Sequence, residues 1–143
     1  VKDFNFSIKP HPTWSETRIK SLFNDGELDD FIFVDGDFHD NIEKSNLLIS
    51  NSSSVSLESL AKGVPVIIIA PLTGIVQNPI PNEVSNRIWK ITYSSNQLLE
   101  AINHFHNPKL IKTLQPDFND VKNDYFEPVT KQGVNLFLNN LKS

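Results

Sequence analysis

Residues 46–69 read NLLISNSSSVSLESLAKGVPVIII, and this stretch decides the fold. Its two apolar runs, 47–50 and 66–70, are short and rich in Leu, Ile and Val, as strands buried on both faces of a parallel sheet are. Between them Val55, Leu57, Leu60 and Ala61 form the apolar side of a helix that begins in the serine cluster. Gly63 is a natural C-terminal stop and Pro65 opens the next strand. Strand, helix and strand in this order make a β-α-β unit with parallel strands.

Working outward, the same alternation covers most of the chain. Further strands are expected at 4–8, 31–34 and 88–93, with the nearly all-apolar third and fourth strands at the centre. One helix carries Ile19, Leu22 and Phe23, with Thr13 or Ser15 as cap and Asn24-Asp25-Gly26 as stop. A short second helix contains Ile42, is capped by Asp37 or Asp40, and ends near Lys44 and Ser45. A fourth is expected at 96–106, turning Leu98, Leu99, Ile102 and Phe105 inward behind a Ser94 or Ser95 cap. The last, at 129–141, places Val134, Phe137, Leu138 and Leu141 on one face. Segments 74–86 and 115–123 read as irregular polar loops. The expected fold is α/β, a Rossmann-like doubly wound parallel sheet of about five strands in a single domain, 1–143. In such a sheet ligands bind outside the carboxyl ends of the strands. The residues at that edge are 9–12, 35–39, 50–54, 71–78 and 94–96, and the most chemically loaded of these loops are expected to share one side.

Composition narrows the function. A chain of 143 residues fits one ordinary domain, and its formal charge of -4 offers no general attraction to nucleic acid or to an anionic membrane. With no cysteine, disulfides, thiolate metal sites and thiol redox chemistry are excluded. The longest apolar run, 64–72, is about half of what a membrane-spanning helix needs, and it contains Pro65 and Pro71. No secretory leader is recognisable and methionine is absent, so a processed chain or, in preference, a domain cut from a longer protein is expected.

Three stretches could carry chemistry. Ser52, Ser53 and Ser54 stand at a strand-to-helix turn, where hydroxyls either satisfy the free N–H groups of the helix or complete an anion site with them. One serine suffices for a cap, and from the residues alone both roles stay open. A capping box needs Glu or Gln three residues after the cap, but Val55, Ser56 and Leu57 occupy those positions. Glu58 is therefore open to an i,i+4 pair with Lys62, or to accepting hydrogen bonds from a ribose diol one helical turn from a phosphate. In IKPHP, 8–12, two prolines stiffen the backbone and hold His11 in an exposed turn, where it suits a phosphate or a nucleotide or is a plain surface histidine. The acids of DDFIFVDGDFHD, 29–40, are split between both ends of one strand and read as turn and cap residues. His104 and His106 are two apart on a helix, and no histidine pair comes with carboxylates at ligand spacing, so no metal site is expected. No Gly-x-Gly-x-x-Gly, Walker loop or Gly-x-Ser-x-Gly elbow is present.

KPHP at 9–12, followed by the serine-rich stretch at 46–69, resembles the C-terminal donor-binding domain of GT-B fold glycosyltransferases. The similarity is greatest to bacterial surface and capsule polysaccharide enzymes, including sialyltransferase-like and glycerophosphotransferase-like members. The resemblance implies that His11 with Pro12 and the serines Ser52, Ser53 and Ser54 bind the phosphates of a nucleotide sugar, and that Glu58 holds the ribose. Gly63 and Pro65 would shape the turn. Retaining members carry another acid where this chain has Ser50, so their pattern is not met. NPIP at 78–81 and YFEP at 125–128 also look familiar from such proteins, without an assigned role.

The implied substrate is a nucleotide sugar of UDP, CDP, CMP or GDP type, with neither cofactor nor metal. The implied partner is an N-terminal acceptor domain of the same protein, which this chain lacks and which usually supplies the general base. No catalytic residue is assigned here, and nucleotide binding without turnover is expected of this domain alone. Nucleic acid and direct membrane insertion are not expected. The expected location is cytoplasmic, with the inner face of the membrane open to the full-length protein. Two alternatives accompany this expectation: a nucleotide-sugar epimerase of the same fold, and a non-catalytic Rossmann-like binding module.

Overall fold

A computed structural model describes residues 4–71, 77–126, 128 and 130–140. Its elements, in chain order, are β1 (Phe6–Ile8), α1 (Glu16–Lys20), β2 (Phe31–Phe33), α2 (Phe38–Ile42), β3 (Leu48–Ser50), α3 (Val55–Ala61), β4 (Val66–Ile69), β5 (Trp89–Thr92), α4 (Ser95–Phe105), α5 (Pro108–Thr113), α6 (Gln115–Tyr125) and α7 (Lys131–Asn140). All five expected strands are present and every pairing is parallel, so the class is α/β. In place of one hydrogen-bonded sheet there are two, β1-β2 and β3-β4-β5. The chain correspondingly divides into two units, 1–44 and 45–143.

In the first unit β1 pairs with β2 in the register Phe6 to Phe31 and Ile8 to Phe33, and the rings of Phe6 and Phe31 stand 5.7 Å apart. The helix caps are side chains with an oxygen to offer. Ser15 accepts from the Arg18 N–H at 3.2 Å, and Asp37 accepts from the His39 N–H at 2.7 Å. After α1 the chain turns through Gly26 at φ +89°, and the Glu27 carboxylate accepts from the Asn24 N–H at 2.8 Å. That bond, with a second from the Asn24 side chain, lowers the Glu27 pKa below its ordinary 4.5. The stabilisation it brings is therefore present above about pH 4.5 and is lost as the pH falls through the lowered pKa. Apolar burial is thin. Among the described residues of this unit Ile42 alone is buried, while the Arg18 and Lys20 cations lie over the Trp14 and Phe33 rings.

The second unit holds the core. β4 lies between β3 and β5, and Leu60, Val66, Ile67, Ile68 and Ile88 expose no surface. Fully burying such a side chain stabilises by about 1.5–3 kcal/mol. β3, expected at the centre with β4, is a border strand of this sheet and half-buried, because it pairs with β4 alone. α3 ends in a Schellman motif: the Val64 N–H donates to the Ser59 carbonyl, the Gly63 N–H to the Leu60 carbonyl, and Gly63 sits at φ +80°. α4 packs against β4 and β5, α3 against α6, and α5 against α4 and α6.

Further expectations are corrected in this unit. The segment 115–123, which reads as an irregular loop, lies within the helix α6, whose Phe118 and Val121 are buried. The helix α5 is absent from the sequence reading; Asn107 caps it by accepting from the Lys109 and Leu110 N–H groups, and Pro108 occupies its first turn. The loop expected at 74–86 has neither helix nor strand over 77–86, yet Ile80 and Val84 are buried and Trp89 Nε1 donates to the Val84 carbonyl at 3.3 Å. Residues 72–76, Gly74 among them, lie outside the described residues. α7 forms where expected, but Val134, Phe137 and Leu138 are exposed, and Val129 and Leu141 lie outside the described residues. In α4 Ile102 and Phe105 turn inward as expected, whereas Leu99 is exposed. Among the described residues no helix is long and apolar enough to cross a membrane.

Candidate functional site

The serine turn belongs to the second unit and joins the carboxyl end of β3 to α3. Two flanking serine contacts are structural. The hydroxyls of Ser50 and Ser56 lie 2.9 Å apart, one donating to the other, and Ser59 Oγ donates to the Val55 carbonyl at 2.8 Å. Ser56 and Ser59 are fully buried, so α3 turns a hydroxylated face inward beside Leu60, where the sequence suggests an apolar side of Val55, Leu57, Leu60 and Ala61. Burial costs these hydroxyls little because each finds a partner.

The serines of the cluster itself are more accessible. Ser52 and Ser54 are exposed and Ser53 is half-buried. Asn51 Oδ1 accepts from the Ser52 N–H at 2.7 Å and from Ser52 Oγ at 3.3 Å, so Asn51 shapes the turn. Asn51 is not among the residues singled out from the sequence, although an Asn directly after a strand is a turn signal. Ser54 occupies the N-cap position with helical angles, φ -59° and ψ -27°, and makes no side-chain cap hydrogen bond. The turn closes through its backbone instead, the Ser53 carbonyl accepting from the Ser56 N–H at 3.1 Å and the Ser54 carbonyl from the Leu57 N–H at 3.2 Å. Among the described residues the Ser53 and Ser54 hydroxyls have no hydrogen-bond partner. Glu58 follows in the first turn of α3, half-buried. A carboxylate there is favoured by the helix dipole whatever else it does.

His11 and Pro12 belong to the first unit. Both are exposed, as expected of a proline-stiffened turn. The Thr13 N–H donates to His11 Nδ1 at 3.3 Å, and Thr13 Oγ1 lies 2.8 Å from the same atom. An Nδ1 that accepts leaves the proton of the neutral ring on Nε2, so the ring's donor is Nε2–H. Ser52, Ser53, Ser54 and Glu58 thus come together on one strand-turn-helix of the second unit, and the His11-Pro12 turn is part of the first.

The acids of 29–40 serve as turn and cap residues where hydrogen bonds define them. Asp37 caps α2, and Asn41 Nδ2 donates to the Asp35 and Asp37 carbonyls at 2.9 and 2.7 Å. Among the described residues no group of three or more His, Asp or Glu side chains is placed to hold a metal ion. The sequence also hid an open cleft of about 380 Å³ in the first unit, lined by Lys20, Phe23, Asn24, Asp25, Asp29 and Phe31 among others. It lies at the amino end of β2, away from the strand ends where α/β sheets bind ligands. The cation at its wall, Lys20, is already paired with Glu16.

Comparison of the chain with protein-family models, with curated proteins and with solved structures finds no match.

Proposed function

We propose that the chain is the nucleotide-sugar (donor) binding domain of a glycosyltransferase acting in surface or capsular polysaccharide synthesis. One observation carries this: at the carboxyl end of a parallel strand, the Ser53 and Ser54 hydroxyls have no partner among the described residues and do not cap α3. Hydroxyl donors held ready in this way suit the oxygens of a phosphate, whose negative charge grows as the nucleotide departs. Glu58, one helical turn on, is the proposed ribose contact. His11 and Pro12 enter as phosphate-binding residues on the strength of the resemblance, with Nε2–H as the donor His11 brings. The proposed fold is the finer one, a Rossmann-like doubly wound parallel sheet of about five strands. The general base and the acceptor site belong to an N-terminal domain of the same protein, and the proposed location is cytoplasmic, with the inner face of the membrane open to the full-length protein.

Calorimetric or NMR titration with UDP, CDP, CMP and GDP tests this function. At least one nucleotide is expected to bind, and Ser53→Ala and His11→Ala should each weaken it by about 0.5–3 kcal/mol, the range for a lost hydrogen bond, highest with charged partners. No binding by any of the four at millimolar concentration would overturn the function for this domain. Unchanged affinity in both variants would mean the site lies elsewhere.

A further inference from the structure

Tyr93 is the first residue after β5 and is 58% exposed. An exposed tyrosine is ordinary on its own, but three features of its surroundings set this one apart. Its backbone is held in place: the Tyr93 N–H donates to Gln97 Oε1 at 2.7 Å, while Ser94 caps α4 by accepting from the Gln97 N–H at 3.3 Å. An aromatic ring on a fixed backbone loses little freedom when something stacks on it. Its place along the sheet is also telling. Ser50 stands in register with Ile68, and Ile68 with Ile91, so the serine turn and Tyr93 follow the carboxyl ends of the two strands that flank β4. Two strand spacings are about 10 Å. Finally, the residues that follow the three strands are Asn51, Ala70 and Tyr93, and of these Tyr93 alone offers a ring face.

Resting on the donor-binding role proposed above, we propose that Tyr93 is a stacking platform for a ring of the nucleotide sugar, while the serine turn holds its phosphates. Phosphate and ring are neighbouring parts of one such ligand, and the serine turn and Tyr93 stand at the carboxyl ends of strands of one sheet. Either the base or the sugar presents a flat apolar face of the kind that stacks on an aromatic side chain.

The test is titration of the 143-residue chain and its Tyr93→Ala and Tyr93→Phe variants with UDP, CDP, CMP and GDP, with their sugar conjugates, and with inorganic pyrophosphate. Circular dichroism and the unfolding midpoint of each variant verify the fold. Tyr93→Ala is expected to weaken the ligand that binds by about 5- to 150-fold, the effect of losing one stacked ring, and Tyr93→Phe to retain most of the affinity. Pyrophosphate should bind all three proteins alike. A loss seen with free nucleotides assigns the base to the platform, and a loss confined to the sugar conjugates assigns the sugar. Nucleotide and conjugate binding that Tyr93→Ala leaves unchanged overturns the platform while the donor-binding role stands. No nucleotide binding by the parent chain overturns both.

Discussion

Within the cluster at 50–59, serines of one chemical type divide into two physical kinds. Ser56 is fully buried and shares a hydrogen bond with Ser50, whereas Ser53 is half-buried and its hydroxyl has no partner among the described residues. Removing the Ser56 hydroxyl leaves the Ser50 hydroxyl unsatisfied in a part-buried position. Ser56→Ala should therefore destabilise the chain by about 1–3 kcal/mol, read as a lower urea midpoint. Ser53→Ala, breaking no bond, should stay within about 0.5 kcal/mol of the parent in the same experiment, and its effect should appear on nucleotide affinity instead. Equal losses of stability in the two variants would contradict this division. The sequence makes the cluster visible but not the split, because a hydroxyl's role depends on whether a partner lies within about 3 Å of it in space.

At the scale of elements, short-range signals located most of the structure. Ser15, Asp37 and Ser94 cap the helices they precede, and Gly63 stops α3 at a positive φ that a residue with a Cβ adopts at a cost of about 1–2 kcal/mol. α6 escapes a reading of the sequence for a reason that can be named. Its sequence QPDFNDVKNDY is mostly polar, and only Phe118 and Val121, one turn apart, mark the side that faces inward. Two apolar residues are too few to establish a period, and packing against α3 supplies the rest of the stability. Phe118→Ala is expected to cost about 3–5 kcal/mol, measured by denaturant unfolding, because the ring is 2% exposed and its loss leaves a cavity. A cost under about 1 kcal/mol, the range of a surface position, would mean that α6 does not belong to the core.

On the scale of the whole molecule, burial is unevenly divided. Among the described residues fifteen of the sixteen buried apolar side chains lie in the second unit, and Ile42 is the one in the first. Local opening is easier where few apolar contacts resist it. Amide exchange should therefore be slowest at Ile67 and Ile68 in β4 and appreciably faster in β1 and β2; equal protection of the two sheets would contradict the unequal core. By itself the sequence determined the α/β class, the places of the five strands and the serine turn between β3 and α3, since these follow from apolar runs, caps and turn residues within a few positions of one another. Only the tertiary structure decided that the strands form ladders of two and three, that β3 borders its sheet, and which serine hydroxyls are paired. Strand pairing and burial join residues far apart along the chain, and no local pattern encodes which of them meet.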